Sequence, residues 1–480
     1  MLTQSRRFAT SGRWQWLDKL ISRLVEPGRL HAWHLNEANR QYQRANANLA
    51  VRHYRKCLEI FPEHWRTYQL LAITCMQLIG DVEEALRLFR FARRLRERLF
   101  SPRGGKPPYR YLDYMWVAQI GHIANMEHLI KRDILLGRNS KDALLYFPES
   151  ARPANQALLD KMGMHITVVR DPSKLPHPPD TMLSVLEEYY LCESLDGLTK
   201  HWWHASPEIF RAWEEAGRGP LLTLSDEERA RGRACLKSLG VPDDAWFVCL
   251  HVRESGFKQQ HGYGTVESIL NADIDAYAPA IRAIIERGGW VVRVGDSKMR
   301  PLAPMPNTAD YARSAVKSDW MDVFLLGACR FFIGTSSGPA YVPPLFGIPC
   351  VLTNWAPFGQ RPFNGRDLYI PKLFRAGVPP RELSFAEMMA PPIGYAAQYV
   401  LGKALGLVLS PNTPDEIRDV VVEMLERLDG NARYSEEDEH LQSTFDAIAG
   451  TNLCIGNARI GRDFLRQHRN LLARAGHAAA

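Results

Sequence analysis

The run Arg330–Asn354, RFFIGTSSGPAYVPPLFGIPCVLTN, places Gly334, Thr335, Ser336, Ser337 and Gly338 directly behind a buried apolar strand. Pro339 follows, a residue favoured in the first turn of a helix, so the segment reads as strand, turn and helix over 338–346. A small turn at a helix N-terminus offers N–H groups and the positive end of the helix dipole to an anion. The hydroxyls of Ser336 and Ser337 add donors, although both residues are equally suited to capping the helix. A second apolar strand, AWFVCLH (245–251), runs into His251-Val252-Arg253-Glu254. In doubly wound sheets ligands gather beyond the carboxyl ends of the strands. There the planar guanidinium of Arg253 can grip a diphosphate. Glu254 can accept a proton from an attacking hydroxyl, or be an ordinary loop carboxylate. A third strand, in GGWVVRVGDS (288–297), carries Arg293 and ends in Gly295 and Asp296. The glycine lets backbone approach a ligand, and Asp296 suits ribose or sugar hydroxyls as well as it suits a helix cap. Asp319 and Asp322 open the next helix, where carboxylates are favourable in any case; Asp322 is counted among the donor-site contacts. In MWVAQIGHI an expected strand ends at Gly121-His122, with Asn125 opening a helix, and His122 is a second candidate for the base.

Other chemistries lose their support. There is no GxxxxGK[ST] loop and no GxGxxG. Asp273-Ile274-Asp275 has the DxD form of a metal site, but it precedes a helix at 275–287 and reads as caps. No HExxH or paired His/Cys spacing is present, so neither a metal nor a cofactor is expected. The eight cysteines are scattered and include no CxxC pair, the pattern of reduced thiols in a cytosolic protein. No secretory signal and no run of 18 apolar residues is found, so the expectation is a cytoplasmic chain with at most peripheral membrane contact. A net charge of +7 suits nucleotide or lipid phosphates; nucleic acid is not an expected partner.

The elements that must position these residues follow from periodicity. At 480 residues the chain has room for roughly two to four domains of ~150 residues each. Residues 1–30 are basic, with Trp14, Leu17, Ile21 and Leu24 at helical spacing, either an interfacial helix or a cap on the following helices. Residues 31–105 are helical throughout. Ala50 and Tyr54 recur as Ala85 and Phe89, about 35 residues on, close to the ~34-residue tetratricopeptide period. A basic cluster, Arg87 to Lys106, closes this module as an anionic docking face or a solvated helix face, and Ser101–Pro108 reads as a linker. Strands alternate with helices over 106–235 and again over 236–430, which predicts two Rossmann-like α/β domains. The first would hold the acceptor and the second the donor. Residues 431–480 are expected to form a helical tail.

HVRE, IxxGGWVVRVGD and the 322–354 segment together resemble a family of bacterial GT-B glycosyltransferases that often carry tetratricopeptide repeats and lie among surface-polysaccharide genes. More distantly, the chain is similar to inverting fucosyltransferases whose HxR motif supplies an arginine to the donor diphosphate. Arg253 matches that arginine, His251 the leading histidine, and Gly334–Gly338 their small-residue turn. The resemblance implies a GT-B fold, a nucleotide-sugar donor, no catalytic metal and, by analogy alone, inversion at the anomeric centre. It also implies a glycan, lipid-linked or protein acceptor, with the helical repeats as a docking surface for a protein partner. Those fucosyltransferases continue with a second arginine and a nearby aspartate; here Glu254-Ser255-Gly256 follows. The rivals are a non-catalytic scaffold for polysaccharide assembly and a sugar-nucleotide epimerase of the same architecture.

Overall fold

A computed structural model describes residues 26–100, 110–175, 191–254, 269–362, 364–395, 399–449 and 456–472. The chain divides into two compact units, residues 1–95 and 96–480. The expected basic helix over 1–30 lies outside the described residues except for its last few positions, and so does the Ser101–Pro108 linker.

The first unit is helical: α1 (Pro27–Gln43), α2 (Ala47–Ile60), α3 (Trp65–Thr74) and α4 (Val82–Phe100). Each break has a local cause. Asn46 caps α2 by accepting from the Leu49 N–H. A π turn over Cys75–Ile79 extends α3 and ends at Gly80, whose φ of +82° is the left-handed conformation that terminates helices. Ala50, Tyr54, Ala85 and Phe89, the four residues of the sequence repeat, are all buried. Small alanines let helices approach and the aromatic rings fill the space beside them. In the basic face of α4, Arg87 is fork-bonded to Glu84, while Arg90 and Arg94 donate to the carbonyls of Leu86 and Arg90.

The second unit is mixed α/β with two parallel sheets. The smaller joins β1 (Arg110–Leu112), β2 (Ala143–Tyr146) and β3 (Thr167–Val169) in that order. Between them run α5 (Ile120–Leu135) and α6 (Gln156–Met162). A hairpin of β4 (Leu191–Glu193) and β5 (Thr199–His201), which the sequence pattern does not announce, leads into α7 (Trp202–Glu215) and α8 (Asp226–Ser238). The Ser225–Glu228 capping box fixes the start of α8.

The larger sheet is built from β6 (Phe247–His251), β7 (Trp290–Arg293), β8 (Thr308–Ala309), β9 (Phe332–Gly334), β10 (Cys350–Trp355) and β11 (Leu368–Pro371). Helices α9 (Ala278–Ile285) and α10 (Asp319–Ala328) lie between these strands in sequence. Further strands β12 (Leu373–Ala376), β13 (Arg381–Glu382) and β14 (Val408–Ser410) form a separate antiparallel sheet. Helices α11 (Pro414–Leu428) and α12 (Glu436–Ala449) precede a last strand, β15 (Arg459–Ile460). The strand order is β15-β11-β10-β9-β6-β7-β8, all parallel. Every residue of β6 and β10 is buried, as a parallel sheet covered on both faces requires. Among the described residues no helix is long and apolar enough to cross a membrane.

Three expectations are corrected. MWVAQIGHI is not a strand: a 3-10 turn covers Tyr114–Trp116 and α5 begins at Ile120, before the expected start at Asn125. Gly121 and Ile123 through Asp133 in α5 are all buried, including Glu127, His128, Lys131, Arg132 and Asp133. A helix buried on every side shows no polar stripe, so its apolar first turn reads as the end of a strand while its body is still read as a helix. The 338–346 segment is not an α-helix but two 3-10 turns, Gly338–Tyr341 and Pro343–Phe346. Pro339, Pro343 and Pro344 have no N–H to donate, so the α-helical ladder cannot form there. The tail is not purely helical, because β15 adds an edge strand to the large sheet.

Candidate functional site

Register brings the candidates together. In the ladder between β6 and β9, His251 stands level with Gly334, so the two chains leave the sheet side by side. A side chain at Gly334 would lie 2.8 Å from the His251 carbonyl oxygen and 2.6 Å from the Phe332 ring. The Thr335 N–H donates to the His251 carbonyl at 3.3 Å, and the Thr335 hydroxyl accepts from the Arg253 N–H at 3.2 Å. The Arg253 guanidinium then reaches the Ser336 carbonyl at 3.5 Å. Arg253 is half-buried, and burial lowers its pKa from the ordinary arginine value.

Neither serine caps a helix. The Ser336 hydroxyl accepts from the Ala356 N–H at 3.0 Å and ties the turn to the loop leaving β10. The Ser337 hydroxyl pairs with His251 Nδ1 at 3.0 Å. His251 is 8% exposed. Burial, and then the Arg253 and Arg293 charges, bring its pKa down to about 3, so the imidazole is neutral. Gly295 lies against its edge: a side chain there would stand 3.3 Å from His251 Cδ2 and 2.4 Å from the Met299 sulfur, at a φ of +144° that favours glycine. With only 3-10 turns after it, the turn receives no α-helix dipole of its own.

The remaining candidates have other occupations. Arg293 has no exposed surface. Its Nη2 lies 3.6 Å from Glu254 and its Nη1 3.6 Å from Asp310, and it donates to the Arg300 carbonyl. Its Nε and Nη2 make no hydrogen bond. Arg293 is therefore a buried strut and not a surface presented to ligand. The Glu254 carboxylate also accepts from the Arg300 N–H at 2.8 Å through the same oxygen that faces Arg293. Asp296 closes a small turn by accepting from the Lys298 N–H and caps no helix. Asp322 binds Lys317 Nζ through both oxygens at 2.9 Å; burial raises its pKa against that pairing. Asp273 accepts from the Asp275 N–H, and both carboxylates pair with Arg300.

The small-sheet side of the unit meets the turn through α5. A side chain on Gly121 would lie 2.7 Å from Gly338 Cα, and one on Gly338 would lie 3.0 Å from both the Gly121 nitrogen and Ile120 Cγ2. In the same first turn of α5, His122 Nδ1 lies 2.6 Å from the Met115 carbonyl. A carbonyl can only accept, so the proton sits on Nδ1 and the lone pair on Nε2. Burial lowers the His122 pKa. A second link runs from α6 to α10: the Gln156 N–H donates to Asp319 at 2.8 Å and Asn155 donates to the Asp319 carbonyl at 3.0 Å.

Sequence reasoning missed two parts of this neighbourhood. Lys317 contributes positive charge felt by His251, but a single lysine outside any motif gives no signal. The loop after β10 is the other; its Ala356 N–H holds Ser336, and backbone contacts leave no side-chain pattern. Beside the turn lies a cavity of ≈ 30 Å³ between α5 and β10, lined among others by Asn125, His128, Tyr341, Trp355, Gln360 and Asp367. It has room for about two waters.

No protein-family profile matches the chain. No curated protein matches it either. Among solved structures it is similar to a glycosyl transferase family 9 protein from Veillonella parvula DSM 2008, with 11% identity and a TM-score of 0.39 over 68% of this chain and 98% of that one. A likeness that distant carries no argument about activity.

Proposed function

We propose that this chain is a glycosyltransferase of GT-B type that moves a sugar from a nucleotide diphosphate sugar to a hydroxyl of a glycan, lipid-linked or protein acceptor, in surface-polysaccharide assembly. The observation that carries the reading is the junction of Arg253 with the Ser336-Ser337 turn at the carboxyl rim of two adjacent strands. A guanidinium and a hydroxyl-bearing turn at that rim suit a diphosphate, the group on which negative charge grows as the sugar departs.

In this reading the acceptor oxygen attacks the anomeric carbon. The bond from that carbon to the diphosphate oxygen breaks, and its electron pair leaves with the diphosphate. The acceptor proton goes to His122, whose Nδ1 hydrogen is held by the Met115 carbonyl and whose pKa is lowered by burial, or to Glu254. The Ser337–His251 contact also invites a hydrolase reading, with Ser337 as nucleophile. That needs the histidine to take a proton, and burial beside Arg253 and Arg293 opposes it. Among the described residues no carboxylate hydrogen-bonds to this imidazole, and the hydrolase reading has no further support.

Calorimetry of the whole chain against UDP-, GDP-, dTDP- and ADP-sugars tests the proposal. One of them should bind, and Arg253→Ala should weaken it by about 10- to 100-fold, the worth of a charged hydrogen bond, while the melting temperature stays within about a degree. Binding by none of the panel would favour the scaffold, and consumption of donor without acceptor would favour the epimerase.

A further inference from the structure

Arg253 is clamped through its own backbone. Its N–H donates to the Thr335 hydroxyl on the turn side, and its carbonyl accepts from the Ala272 N–H at 3.0 Å on the other. Ala272 ends a short strap, residues 269–272, that leads into the 3-10 turn Ile274–Tyr277. The far side of the strap is held by Lys372, the first residue beyond β11. Its ammonium donates to the Ile269 carbonyl at 2.7 Å and to the Asn271 carbonyl. In the sheet β11 and β6 are separated by β10 and β9, so the strap bridges the rim between their exits. The Lys372 main chain reaches the other half of the site as well. Its N–H donates to the Trp355 carbonyl at 3.1 Å, and the next N–H, that of Ala356, holds the Ser336 hydroxyl.

We infer that Lys372 is a positioning residue for Arg253, acting through the single peptide that joins Asn271 to Ala272. The Asn271 carbonyl, which accepts from the lysine, and the Ala272 N–H, which donates to Arg253, belong to that one peptide unit. The bond is trans, so the two groups point in opposite directions within one rigid plane. Fixing the carbonyl on the lysine side therefore fixes the N–H on the arginine side, and with it the main chain from which the guanidinium extends. The ammonium also polarises the peptide, which makes its N–H the stronger donor. Stability alone does not call for a lysine here. Lys372 is 4% exposed and has no ion pair among the described residues. Burial brings its pKa down to about 8, so it remains cationic at neutral pH. A dry ammonium satisfied by carbonyls alone is costly to bury, and an apolar side chain would fill the space without that cost. What the cation supplies is direction.

This inference rests on the reading of Arg253 as a diphosphate ligand, and a double-mutant cycle separates the two. Affinity for the sugar nucleotide that binds best is measured by calorimetry in the whole parent chain, in Lys372→Met, in Arg253→Ala and in the double variant. Lys372→Met keeps the length of the side chain and removes the donor. It should weaken binding by about 10-fold in the parent, and by less than about 2-fold where Arg253 is already alanine. A residue that served packing alone would shift the unfolding midpoint and leave the affinity of the folded chain as it was. Unchanged affinity in Lys372→Met, or an equal loss with and without Arg253, overturns the role of Lys372 and leaves the diphosphate site standing. Absence of binding by every sugar nucleotide, or full affinity in Arg253→Ala, removes both. If Lys372→Met does not fold, Ala272→Pro carries the same test, because it deletes the N–H that reaches Arg253 at a position outside helix and strand. It should give the same pair of losses, and unaltered binding there overturns the relay.

Discussion

Gly121 and Gly338 meet backbone to backbone, so closely that a methyl group on the first would stand 2.7 Å from the Cα of the second. One belongs to the first turn of α5 and the other to the turn that follows β9. The neighbour in the way is main chain on both sides, which cannot swing aside as a side chain would. Gly121→Ala should therefore cost about 1–3 kcal/mol, measurable by denaturant unfolding. It should also weaken sugar-nucleotide binding more than any distant substitution of equal stability cost. Unchanged binding in a destabilised variant would show that the contact serves packing alone.

Removal of the candidate base should leave the donor site intact. His122→Gln is expected to lower kcat by about 10²- to 10⁴-fold without changing donor affinity. Since burial lowers the His122 pKa, the acid limb of the kcat profile should lie below the ordinary histidine value of 6.5. An acid limb retained in the variant would assign it to another group.

Arg293 makes the opposite prediction to Arg253. It is fully buried between Glu254 and Asp310, so truncation strands two carboxylates. Arg293→Met should destabilise by about 3–5 kcal/mol, read from chemical denaturation. Adding Glu254→Gln and Asp310→Asn should restore part of the loss. A stable Arg293→Met with impaired donor binding would return this arginine to the ligand contacts.

Asp367 supplies a pH test. Burial pushes its pKa up to about 8, against the hydrogen bond from the Cys350 N–H. A carboxyl whose folded pKa is raised contributes its stability below the unfolded value, and that contribution is lost as pH rises toward 8. Asp367→Asn should remove this decline and be the more stable form near pH 8 by roughly 1 kcal/mol or more. Parallel stability curves for the two chains between pH 5 and 8 would contradict it.

What the sequence made legible was the rim of the large sheet. β6 and β9 are uninterrupted apolar runs that break into polar residues, and that break marks where a buried strand surfaces. Arg253 and the Ser336-Ser337 turn were found this way, and the register puts them side by side. α5 reads as a helix from Asn125, but its first turn, 120–124, reads as the end of a strand because Ile120, Gly121, Ile123 and Ala124 are apolar or small and show no polar face. Further along, Lys131 pairs with Glu127 at 2.7 Å and Arg132 with Asp133 at 3.0 Å inside the protein. Charges that neutralise one another can be buried, and then polarity no longer marks the outer face. The roles of Arg293 and Asp322 were unreadable for a related reason: a charge alone does not tell whether its partner is a ligand or another side chain. Here the partners are Glu254 and Asp310 for the first and Lys317 for the second.

The short strand β15 makes the final stretch of the chain indispensable to the flank of the large sheet. Arg459 and Ile460 cover the side of β11, while Ala458, Phe464 and Leu465 are buried behind it. A version trimmed before residue 456 would bare the backbone groups at Asp367 and Tyr369 that β15 covers, together with a greasy patch. Unsheathed strands of that kind recruit their own kind, so shortened forms should clump rather than merely soften. Any fusion or affinity handle is better carried beyond this segment than put in its place.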